Sequence, residues 1–174
     1  MKHIIVLIVS LSVIVLLIVG FSAGPKTRIG VFDSRAIAIA HANSSEGGAL
    51  VAGLRADMEK AKAAKNDALV KEIGEKGKTN QILSHLRAFS IGSVAEILEK
   101  HKSEIAQIAK RAGVEAIVSK FEMPYLGNGI ETVDVTQEMV GMFKTTEQGK
   151  KWAAEVANHE PMLMLEVLAI PADK

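Results

Sequence analysis

Between Ser93 and Phe143 the spacing of apolar residues changes from helical to strand-like and back again. This restricts the chain to folds that combine helices with short strands. Val94, Ile97, Leu98, Ile105, Ile108, Ala109 and Ala112 recur at three- and four-residue intervals, as one buried stripe of an amphipathic helix requires. Ser93 and Glu96 have the spacing of a capping box, Lys110 and Arg111 lie where the helix dipole favours cations, and Gly113 can close the last turn. The pattern predicts one helix from Ser93 to Gly113. Residues 114–121, VEAIVSKF, are rich in β-branched residues and predict a strand. A loop holding Pro124, Gly127, Asn128 and Gly129 leads to a second short strand over Thr132 to Val135. Thr136 is then an N-cap for a helix carrying Met139, Val140 and Phe143.

Upstream, Thr27 to Phe32 (TRIGVF) predicts another strand, and Asp33 or Ser34 can cap a helix beginning RAIAIAHA. Residues 50–78 mix apolar positions, several of them alanine, with charges. So narrow an apolar face suits either one leg of a hairpin packed on a single neighbour or a solvated surface helix. Gly74 and Gly77 in GEKGKTNQ predict a turn there, because glycine weakens a helix interior. A shorter helix from Thr79 to Phe89 follows, so a hairpin built from these legs is expected to be kinked. Asn43 to Gly48 (NSSEGG) reads as a connector, or as a hinge for the arm. Past Phe143, Thr145 to Gln148 offers a further cap, and Pro161 precedes an apolar segment over Met162 to Ile170. Residues 144–174 are therefore expected to form two short helices packed on the body, with Trp152 an ordinary packed side chain.

The expected fold class is α+β, mainly α, with a small β body of short strands and a long helical-hairpin arm. A first strand ending at an Asp, a return segment IAQIAKRAGVEAIVSK and a final VDVT leading into a helix resemble the OmpH/Skp family of periplasmic chaperones. The resemblance covers roughly Arg28 to Phe143 and rests on short hydrophobic motifs. It implies a homotrimer whose strands form a small body and whose paired helices project as arms around unfolded outer-membrane proteins, without ATP. Chaperones of this family are strongly basic, whereas this chain has 21 basic and 20 acidic residues. Binding of lipopolysaccharide or phospholipid is therefore not carried over. Balanced charge likewise gives no long-range attraction to nucleic acid.

Ile4 to Phe21 is an uncharged apolar run following Lys2 and His3. Its length lies between a signal-peptide core and a spanning helix, so residues 1–24 are read as a signal peptide or a membrane anchor, and residues 25–143 as the OmpH/Skp-like domain. Either fate delivers the rest to the periplasm or cell envelope if the amino terminus stays inside, and an uncleaved run would hold it in the inner membrane. A retained anchor would suit an alternative role, that of a membrane-anchored structural or adaptor protein with a fixed partner.

The chain has no cysteine, which rules out disulfides, thiolate metal sites and cysteine nucleophiles. His41, His85, His101 and His159 fall on different elements without metal-ligand spacing. His101, on the apolar side of its helix, is expected to pack rather than to ligate. No nucleophile elbow, phosphate loop or dinucleotide fingerprint occurs. A hydrolase would need a site assembled from Asp33, His41 and Asp134. No catalytic, cofactor-binding or metal-ligating residue is assigned, and the expected role is non-enzymatic.

Overall fold

Strand β1 (Thr27–Phe32) runs through the middle of a three-stranded sheet of order β2-β1-β3, with β2 (Ala116–Ser119) and β3 (Ile130–Asp134) both parallel to it. The computed structural model describes residues 26–171, so the apolar run over 4–21 lies outside the described residues. Two parallel neighbours oblige the chain to cross over twice. All the helices between Ser34 and Ala112 are inserted in the first crossover, and the loop 120–129 makes the second. Gly30 sits in the central strand where a Cβ would lie 2.9 Å from Ile117 Cγ1 and 3.3 Å from Val114 and Val135. Its missing side chain lets these residues close over the sheet.

Helix α1 (Ser34–Ala42) starts directly after β1 and is the hub of the core, with Ala36, Ile37 and Ala40 fully buried. A helix apolar on nearly every face must be surrounded. Asp33 is its N-cap, accepting the Arg35 amide at 2.9 Å. Two long helices follow, α2 (Ser45–Ala63) and α3 (Asp67–Phe89), and they pack against each other as a hairpin. The turn between them is at Ala64–Asn66, not at Gly74 to Gln81 as the glycines suggested, and α3 runs unbroken through Gly74 and Gly77. Lys65 takes a left-handed conformation (φ 51°) and Asn66 caps α3 by accepting the Leu69 amide. The interruption at Asn43 to Gly48 is also shorter than expected. Ser44 caps α2, and Glu46, Gly47 and Gly48 already belong to its first turns.

The expected helix from Ser93 to Gly113 is divided into α4 (Ala95–Leu98), a 3-10 turn at Glu99–His101 and α5 (Lys102–Ala112). The capping box does not form, because the Glu96 carboxylate pairs with Arg87 at 2.8 Å instead of returning to Ser93. Gly113 closes α5 in the left-handed conformation (φ 64°), and Arg28 donates to the carbonyls of Ala112 and Gly113. The β3 strand leads into α6 (Thr136–Val140). Thr136 is not its cap: Asp134 accepts the Thr136 amide at 2.8 Å, while the Thr136 hydroxyl accepts the Asp33 amide.

Two short helices complete the chain, α7 (Glu147–Glu155), capped by Thr146, and α8 (Met164–Leu168). This carboxy-terminal part is pinned at several points. The Thr146 amide donates to the Asn43 carbonyl, Arg35 to the His159 carbonyl, the Met162 amide to Phe89, and the Ser90 hydroxyl to Met162. Phe32, Ile37, Ile97, Ile108, Met139 and Phe143 form the shared core. The outcome is the α+β, mainly helical architecture, with a small sheet and a hairpin arm. Among the described residues no helix is long and apolar enough to cross a membrane.

Candidate functional site: the arm and the groove at its base

The arm legs have 19 and 23 residues, which corresponds to about 28 and 35 Å of helix. Alanine and glycine make the seam between them narrow, so only Gly47, Ala61 and Ile73 are buried along both legs. Leu50, Val51, Leu69, Ile82 and Leu83 stay exposed. The charges that keep such a surface soluble pair locally, Lys62 with Glu59, Lys76 with Glu72 and Lys78 with Glu75, and solvated pairs of this kind add little stability. An open trough of about 600 Å³ lies between the legs, lined by Val51, Leu54, Met58, Ile73, Gly74 and Gly77.

A Cβ at Gly74 or Gly77 would meet nothing within 4 Å among the described residues. Gly74→Ala with Gly77→Ala is therefore expected to stabilise the arm by about 1–2 kcal/mol through helix propensity alone. Urea denaturation reads this directly. A loss of stability would mean that another surface already covers these two positions.

Where the arm leaves the body, two histidines converge on one carboxylate. Glu46, in the first turn of α2, has its carboxylate 3.3 Å from His101 Nε2, 4.0 Å from His41 Nε2 and 2.9 Å from Lys100 Nζ. Both rings stand edge-on to Phe143, at 4.8 and 5.8 Å between centroids. His101 Nδ1 is buried and has no hydrogen-bond partner among the described residues, and the ring packs on Phe143 and meets Glu46. The expectation of a packed His101 fits, but the partnering carboxylate comes from 55 residues away, where no local spacing could reveal it.

Burial pushes the His41 ring below its ordinary value, with Glu46 partly opposing and Lys100, His101 and Arg87 reinforcing the effect. The Lys100 hydrogen bond is the main reason that the Glu46 carboxyl is held low. Above about pH 6.5 His41 is neutral whether folded or unfolded. Below it the unfolded chain takes up a proton that the folded ring resists, so stability falls with pH until the depressed folded value is passed. Glu46 adds its own loss only below about pH 4.3. Urea midpoints measured at neutral pH and near pH 5 are expected to diverge, and the gap is expected to narrow in His41→Phe. An unchanged gap would remove His41 from this account.

On the other side of α1 a groove of about 610 Å³ runs between α1, α3 and α7. Ile39 and Ala42 come from α1, Ala88 and Phe89 from α3, and Trp152 and Val156 from α7 and the turn after it. Phe89 and Trp152 are 41% and 48% exposed. Trp152 is thus a wall of an open groove and not the packed side chain expected. Ala153 beside it is the residue that α7 buries.

Asp33, His41 and Asp134 do not converge into a hydrolytic site. Asp33 is buried against Arg35 and Lys120, Asp134 accepts the Thr136 amide just before α6, and His41 lies at the far end of α1, about 12 Å of helix away from Asp33. Among the described residues no three His, Cys, Asp or Glu side chains are grouped to hold a metal. Comparison with family models, with curated proteins and with solved structures finds no match.

Proposed function

We propose that the protein is a holdase of the cell envelope, similar in its working to the OmpH/Skp chaperones, which binds unfolded outer-membrane or other envelope proteins as a homotrimer without ATP. The observation that carries this reading is the arm, where a hairpin buries Ala61 and Ile73 in its own packing and leaves several large apolar side chains outside it. Leu50, Val51, Leu69, Ile82 and Leu83 remain open to solvent along it. Several large apolar side chains left open along one arm offer a partner reversible contact. Holding an unfolded chain needs reversible apolar contact and no chemistry, so an arm of this kind is sufficient.

The second reading, a membrane-anchored adaptor with one fixed partner, is favoured by the shortness of the arm. Legs of about 28 and 35 Å enclose little volume. Two measurements on the purified full chain separate the readings. Light scattering coupled to size exclusion is expected to give a trimer, and a urea-unfolded outer-membrane protein diluted into buffer is expected to stay soluble in its presence. A monomer that leaves the aggregation rate unchanged would sink the holdase and favour the adaptor.

A further inference from the structure

The groove between α1, α3 and α7 differs from the arm trough in the charge it presents. Its apolar walls meet two exposed carboxylates, Glu155 and Glu160. Glu160 forms no ion pair among the described residues, and Glu155 has only Lys151, exposed and at 4.0 Å. The cation lining the groove is Arg35, and it is already committed. Its guanidinium donates to Asp33 at 2.7 and 3.1 Å and to the His159 carbonyl at 2.8 Å, and the side chain is 2% exposed. An anionic ligand would therefore meet repulsion, while a cation is attracted to the rim.

Shape points the same way. Ala42, Ser84 and Ala88 are small where α1 and α3 face the groove, leaving room beside Trp152 and Phe89 for one large side chain. Beyond Met162 the apolar surface continues over Leu163, Met164, Leu165 and Leu168, all exposed. Methionine and leucine there can repack around different partners. A linear occupant can thus place an apolar side chain in the groove and lay its neighbours along α8.

We propose that this groove binds a short unfolded polypeptide segment in which an aromatic or long aliphatic side chain lies next to a lysine or arginine. The apolar side chain stacks between Trp152 and Phe89, and the cation reaches Glu155 and Glu160. This inference rests on the holdase reading and gives it a sequence preference.

Trp152 is the sole tryptophan of the chain, so its emission reports on the groove in the full protein. A capped hexapeptide alternating phenylalanine and lysine is expected to shift the emission saturably, and the same peptide with glutamate for lysine to bind at least about tenfold more weakly. Glu155→Gln with Glu160→Gln, both on the surface, is expected to reduce that difference to about threefold or less. Ala88→Leu, which fills the groove, is expected to remove the shift while circular dichroism stays unchanged. No saturable shift, equal binding of the two peptides, or a preference undiminished in the double Gln variant overturns the proposal. So does an emission shift that follows protein concentration, which would mean a second copy in the groove, or a larger shift with neutral phosphatidylcholine vesicles, which would mean lipid. Aggregation assays keep the two readings apart. Full protection of an unfolded outer-membrane protein by Ala88→Leu overturns the groove and spares the holdase, whereas peptide binding without any protection by the parent chain upholds the groove and removes the holdase.

Discussion

Asp33→Ala is expected to cost about 3–5 kcal/mol, because it leaves the buried Arg35 guanidinium without its counter-charge. For a chain of this size that is a fall in the thermal midpoint on the order of 10 °C. The carboxylate is 1% exposed and receives the Arg35 guanidinium twice, the Arg35 amide at 2.9 Å and Lys120 Nζ at 2.8 Å. It thereby ends β1, caps α1 and ties in the loop after β2. Arg35 also carries the His159 carbonyl and lies over the Phe121 ring, so the loss would spread to the carboxy-terminal segment. Burial alone would raise the Asp33 carboxyl, but the hydrogen bonds and charges of Arg35 and Lys120 together hold it below its ordinary value. Its contribution is therefore complete at neutral pH and fades only as the pH falls below about 3.9. Asp33→Ala with Arg35→Met is expected to recover part of the loss, since removing both members of a buried pair costs less than removing one. A single variant melting within about 2 °C of the parent would show that water takes over the solvation of Arg35.

Where residues act on their own neighbours, the sequence was a sufficient guide. The Asp33 cap, the glycine end of α5 and the Thr146 cap all depend on interactions within a few positions, and the β-branched TRIGVF run carries its strand preference locally. Errors occurred where a distant partner competed. Glu96 had the spacing to cap with Ser93, yet Arg87, on a different helix, claims its carboxylate. Thr136 had the chemistry of a cap, yet its hydroxyl serves the Asp33 amide across the sheet. The hairpin turn failed for a different reason. Gly74 and Gly77 each cost a helix about 1 kcal/mol, too little to break one that buries Ile73 against its neighbouring leg. The true turn, Ala64–Asn66, has neither glycine nor proline. Asn66 followed by Asp67 was the signal available, an N-cap with an acid in the first turn.

The candidate site was less legible than the fold, since its parts come from separate stretches of chain. The leucine and valine positions of the arm could be read from periodicity, but that they stay exposed could not. The groove needs α1, α3 and α7 together, and one of its fixing contacts, Arg35 to His159, spans 124 residues. The sheet order places β1 between two parallel partners, an arrangement that three short strands in sequence do not specify.

Gly47→Ala is expected to loosen the arm at its root while leaving the body folded. A Cβ at this position would overlap the His41 carbonyl oxygen and lie 3.0 Å from Ala42 Cα. These are backbone atoms, so no rotamer change can relieve the contact. Either the first turn of α2 moves away from the end of α1 or α1 itself must bend. The first costs less, because α1 buries Ala36, Ile37 and Ala40 in the core with residues such as Met139 and Phe143. Moving that turn also withdraws Glu46 from His41, His101 and Lys100, and strains Ser44, whose hydroxyl donates to the His41 carbonyl at 2.6 Å while accepting the Gly47 amide. The expected cost is about 1–3 kcal/mol. It should show as faster amide hydrogen exchange over residues 45–89, with β1 and α1 keeping the protection of the parent. Gly48→Ala is the internal control: it adds the same methyl one position along, where nothing lies within 4 Å, and is expected to be neutral or stabilising by up to about 1 kcal/mol. Uniform loss of protection across the whole chain in Gly47→Ala would mean that arm and body unfold as one unit. Selective loss would make this variant a way to ask whether an arm that is present, but no longer held in place, can still keep an unfolded protein in solution.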